Sequence, residues 1–73
     1  MMEVSVSSII SERSFGVIFA GVSEGRKLRF RAGADVMAGT PAAGEIWRIE
    51  GKEKSTAYGN QVEVSAGRRV LSN

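Results

Sequence analysis

With 73 residues, the chain has room for one domain and one small core, and a chain of this size buries only about 60% of its unfolded surface. It contains no cysteine and no histidine, which excludes disulfide support, the usual zinc sites and thiol- or imidazole-based catalysis. The net charge is only +2, but residues 1–25 sum to −2 and residues 26–73 to +4, with Arg26, Lys27, Arg29 and Arg31 close together and no acid among them, a local patch suited to an anionic partner.

Apolar residues recur with period two, broken by glycine, and no helical period persists. Val4 and Val6 alternate with Ser5 and Ser7, with Ile9 and Ile10 beyond them, which predicts strand one over 3–12, followed by a polar turn at 11–14. Residues 15–22 are apolar on both faces and end at Ser23, Glu24 and Gly25, giving strand two and a hairpin turn. Over 26–31, Leu28 and Phe30 point one way and Lys27, Arg29 and Arg31 the other, so strand three pairs with strand two. The stretch 32–44 is rich in alanine and glycine and holds the single proline, Pro41; it reads as a crossover, either irregular or with a short helical turn over 35–38. Gly44 opens strand four over 45–51, and 52–58 reads as a polar, charged connection. Strand five covers 61–66 with Val62 and Val64 inward. Residues 68–73 read as a tail or the start of a linker, leaving 1–67 as the domain.

Three strands in a meander, a long crossover and a closing hairpin form the arrangement of an all-β, five-stranded OB-fold barrel, whose closure removes exposed sheet edges. An SH3-like barrel also has five short strands, but the long connection after strand three favours the OB order. Val4, Val6, Leu28, Phe30, Trp47, Ile49, Val62 and Val64 are the expected interior. No positively charged leader precedes an apolar run, and the apolar stretches are too short to span a membrane. A cytoplasmic protein without membrane contact, metal or cofactor is expected.

No glycine-rich loop ends in Gly-Lys-Ser/Thr, so the chain has no phosphate-cradling ATPase motif. Glu50 and Glu53 are near in sequence but read as solvated hairpin acids rather than a catalytic pair. The chain is therefore read as a non-enzyme. The main functional signal is the stripe Lys27, Arg29 and Arg31: on a strand these side chains share one face about 6–7 Å apart, a spacing that tracks the phosphates of an extended single strand. The alternative is a solvated outer face that keeps a small barrel soluble. Trp47 is either core or a stacking platform; Ile49 shares its face and Arg48 lies opposite. Phe15 and Phe19 share a face with Val17 and read as core, leaving Ile18 on the outer face for a groove or a partner. Tyr58, before Gly59, either stacks on a base while Lys52 and Lys54 meet phosphates, or packs on the barrel rim.

Several segments resemble the N-terminal OB domain of RecD-like DNA helicases, the exonuclease V alpha-subunit family. Val6-Ser7-Ser8-Ile9-Ile10 is similar to its first strand, and Phe15-Gly16-Val17 to the start of its second. Gly44-Glu45-Ile46-Trp47-Arg48-Ile49-Glu50-Gly51 resembles its fourth strand, and Tyr58-Gly59-Asn60-Gln61-Val62-Glu63-Val64 its lead into the last. These segments run in the family's order over most of the chain, and the Tyr-Gly-x-Gln piece is the specific one. The resemblance implies an accessory module for single-stranded nucleic acid, DNA before RNA, attached to helicase motor domains that this sequence does not contain. The tail ends without an obvious stop, as expected of an excised domain. Two other functions compete: a protein-interaction or scaffolding domain of a larger enzyme, and a small RNA-binding barrel similar to translation-initiation OB proteins.

Overall fold

The computed structural model describes residues 2–57 and 59–71. Its elements are β1 (Met2–Arg13), β2 (Gly16–Ser23), β3 (Arg26–Gly33), β4 (Ile46–Thr56) and β5 (Gly59–Leu71). They close into a five-stranded barrel in the order β1-β2-β3-β5-β4, with β4 returning to β1. All pairings are antiparallel except β3 with β5, which is parallel. This is the OB arrangement, with no helix among the described residues.

Alternation explains the strands. Val4, Val6, Phe19, Leu28, Phe30, Ala32, Trp47, Ile49, Val62 and Val64 form one buried cluster, which includes the eight residues named as the expected interior but not Phe15. The rings of Phe19 and Phe30, partners across β2 and β3, stack with centroids 5.0 Å apart and planes 11° from parallel. Burying an aromatic or branched aliphatic side chain of this kind contributes about 1.5–3 kcal/mol. Trp47 is fully buried and is a core residue, not a stacking platform.

β1 serves two partners: Met2–Ser5 pair with β4 and Ser5–Arg13 with β2. Irregularities between Val6 and Ser8 and between Ile9 and Ser11 add the local twist that lets one strand wrap around the barrel. Gly51 is at a matching irregularity in β4, where a Cβ would collide with the Glu63 carbonyl oxygen. The turn between β2 and β3 holds Glu24 at φ 53° and Gly25 at φ 77°. Two left-handed residues suit a tight type I′ hairpin, whose twist matches the flanking strands.

The structure corrects the extent of two strands. Lys52 to Thr56 continue β4 instead of forming a loop, so the last two strands make one long hairpin. The expected tail is sheet as far as Leu71: Trp47 pairs with Arg69 and Arg48 with Arg68. Of the two readings of the crossover, the irregular one holds: residues 35–38 are not helical, and Ala38 N–H donates to the Gly67 carbonyl and Gly67 N–H to the Val36 carbonyl, both at 2.9 Å. Sequence patterning misses the extra strand length because polar strand ends carry no alternation; the crossover is held both by β5 and by local bonds such as Glu45 N–H to the Ala42 carbonyl at 3.1 Å.

A buried polar cluster fastens the crossover to the barrel. Glu45, 7% exposed, accepts from Ala42 N–H at 2.8 Å and Trp47 Nε1–H at 3.0 Å through Oε1, and from Arg69 Nη1–H at 2.9 Å through Oε2. The Trp47 and Arg69 hydrogen bonds hold the Glu45 carboxyl below its ordinary value. Arg69 is thus a structural residue, although it fell within the segment read as tail.

Candidate nucleic-acid interface

Register decides which cations share a face. On β3 the outward residues alternate with buried Leu28, Phe30 and Ala32. Across to β2, Lys27 lies opposite Val22, Arg29 opposite Ala20 and Arg31 opposite Ile18. Across to β5, Arg29 lies beside Gln61 and Arg31 beside Glu63. Those same β5 residues face Lys54 and Lys52 on β4. Two rows therefore cross the sheet, Ala20–Arg29–Gln61–Lys54 and Ile18–Arg31–Glu63–Lys52. Neighbouring strands are about 4.7–4.9 Å apart, so the outer cations of each row are roughly 10 Å apart. Lys52 and Lys54, expected on a loop, instead stand on β4, in register with the stripe through β5.

The face is not purely basic. Glu63 Oε1 is 3.8 Å from Arg31 Nη1. At the end of the stripe, Arg26 Nη2 donates to Glu53 Oε2 at 2.7 Å, and Asn60 Nδ2 donates to the same oxygen at 2.8 Å. The Arg26 hydrogen bond is the main reason the Glu53 carboxyl titrates below its ordinary value. The run 26–31 contains no acid, but the fold brings one from β4 and one from β5. Lys27, Lys52 and Lys54 form no ion pair among the described residues.

Two hollows follow the stripe and share Arg29. One, of about 350 Å³, is bounded by Arg13, Phe15, Ile18, Arg29, Arg31 and Gln61. The other, of about 620 Å³, lies along Lys27, Ala20 and Asn60. Ile18 lines the first hollow from the outer face, as its position in the alternation implies. Phe15 departs from expectation: it is 73% exposed, because Arg13 pairs with Gly16 and leaves Ser14 and Phe15 as the two-residue turn. Its parity with Val17 and Phe19 does not bury it, since the strand starts one residue later. The placement of the turn was the missed signal.

Of the six residues singled out in the sequence, Lys27, Arg29, Arg31, Lys52 and Lys54 are brought onto one surface. Tyr58 lies outside the described residues. Sequence reasoning missed Phe15 and Arg13 at the turn, and Gln61 and Glu63 in the middle of the basic rows. The arrangement can hold an extended polyanion along β3 with a flat apolar group against Phe15 and Ile18. No family model matches the chain, and no curated protein or solved structure matches it either.

Proposed function

We propose that this domain is a non-catalytic module that binds single-stranded nucleic acid, DNA in preference to RNA, through the outer face of β2, β3 and β5 and the β4 strand beside it. The observation that carries the reading is the register that sets Arg29 and Arg31, with Lys27 on the same face of β3, in rows with Lys54 and Lys52, beside a groove lined by Phe15, Ile18, Arg29 and Arg31. Cations meet phosphates, and an exposed aromatic ring supplies a sequence-tolerant stacking surface. This is also the side of an OB barrel that commonly takes oligonucleotides. The resemblance to RecD-like helicases extends the proposal: the module serves helicase motor domains of a longer chain, and Tyr58 adds a second stacking ring.

Fluorescence anisotropy of a labelled dT oligonucleotide of about 12 nucleotides, against the dU and rU versions, tests the reading. Salt-sensitive binding with dU ahead of rU supports it. No binding at millimolar protein and low salt overturns it in favour of an interaction module with a solvated basic face.

A further inference from the structure

We infer that Glu63, set between Arg31 and Gln61, reads guanine in the bound strand; this rests on the single-strand reading above. Glu63 stands in register between Arg31 and Lys52, where it weakens phosphate binding but offers a ligand an anionic acceptor among cationic donors. Its side chain is 34% exposed and that of Arg31 61%. Gln61 Nε2 donates to Glu63 Oε2 at 3.0 Å. A carboxylate only accepts, so this contact fixes the amide orientation and turns the Gln61 carbonyl oxygen away as an acceptor. Glu63 Oε1 is 3.8 Å from Arg31 Nη1, too long for a hydrogen bond, so the two groups stand side by side, each able to meet a ligand atom of its own. The hollow that Gln61 lines also holds Phe15 and Ile18, which gives a base an apolar surface to rest on.

The resulting pattern is an ionic acceptor beside a guanidinium donor. Guanine matches it, with two adjacent donors, N1–H and the N2 amino group, next to the O6 acceptor. The carboxylate takes the two donors and Arg31 donates to O6. Thymine offers one donor between two carbonyl oxygens, so one oxygen would face the carboxylate. Cytosine and adenine each offer a single amino donor beside an acceptor nitrogen. Bidentate pairs of this kind discriminate strongly when buried; on this half-exposed surface about a 5- to 10-fold preference is expected, near the low end of that range.

The test compares dT oligonucleotides with versions carrying isolated dG, and with versions carrying deoxyinosine, which lacks the N2 amino group. The wild-type domain should bind the dG strand more tightly, with deoxyinosine between the two. Glu63→Gln replaces one acceptor oxygen by a donor; it should remove the preference and leave dT binding unchanged or tighter. The near-ultraviolet signal of buried Trp47 reports that the variant is folded. Equal wild-type affinity for dG and dT strands, or a preference that survives in folded Glu63→Gln, overturns the inference while the single-strand reading stands. Failure of the wild-type domain to bind any of these strands overturns both.

Discussion

Removing Arg29 and Lys54 singly and together tests the cationic rows quantitatively. The two flank Gln61 in one row, roughly 10 Å apart across the sheet, so they reach different phosphates and their effects should add. Each neutralised phosphate of a single strand contributes about −0.7 to the slope of log affinity against log salt. Lys27, Arg29, Lys52 and Lys54 together predict a slope near −2.8, a loss of roughly 50-fold between about 50 and 200 mM salt. Arg31 adds less, because Glu63 already lies 3.8 Å from it. Arg29→Ala and Lys54→Ala should each flatten the slope by about 0.7, and the double variant by about 1.4. Anisotropy titrations at four salt concentrations measure this. If both variants keep the wild-type slope, the rows do not contact phosphate, whatever else the surface binds.

Three further predictions concern the scaffold. Phe30→Leu removes a ring stack worth about 0.5–1.5 kcal/mol beyond its buried area; thermal melts should show a Tm lower by about 5–15 °C, and a cycle with Phe19→Leu should show coupling, whereas strict additivity would rule out the stack as an energetic unit. Glu24→Asn relieves a left-handed backbone that asparagine tolerates better; a gain of up to about 1 kcal/mol should raise Tm by as much as 4–8 °C, and an unchanged or lower Tm would speak against the type I′ turn. Glu45 has a folded pKa below its ordinary value of 4.5, so its contribution is complete above that value and disappears as pH falls through the lower folded value. Circular-dichroism melts should therefore show Tm dropping in acid, and Glu45→Gln should lower Tm at neutral pH while making the acid limb shallower; Glu53, shifted the same way, maintains part of the limb. An acid limb of unaltered depth would show that Glu45 is not a linked group.

Alternation made the barrel legible because a half-buried strand writes its burial directly into its sequence. Val4, Leu28, Trp47 and Val62 each had an apolar partner two residues away, and all are buried. Lys52 to Thr56 and Arg68 to Leu71 carried no such signal: they extend past the core, so nothing in their side chains distinguishes strand from loop. The stripe on β3 was legible for the same reason as the core, since its polar parity is the complement of Leu28 and Phe30. What was not legible was how distant segments meet. Glu53 reaching Arg26, Glu63 reaching Arg31 and Arg69 reaching Glu45 depend on a parallel pairing and a long hairpin register, neither of which local pattern determines. Phe15 was misjudged by a one-residue shift of a turn, enough to move a ring from the core to the rim of a groove.

The most direct test of the central claim is an amide chemical-shift map of the isotope-labelled domain titrated with a dT oligonucleotide at low salt. Binding as proposed predicts that the largest changes fall on Phe15, Ile18, Lys27, Arg29, Arg31, Gln61 and Lys54, while Glu3, Arg48 and Arg68 on the opposite stretch of β1, β4 and β5 stay in place. Changes concentrated on Arg48 and Arg68, or none at millimolar oligonucleotide, would contradict it.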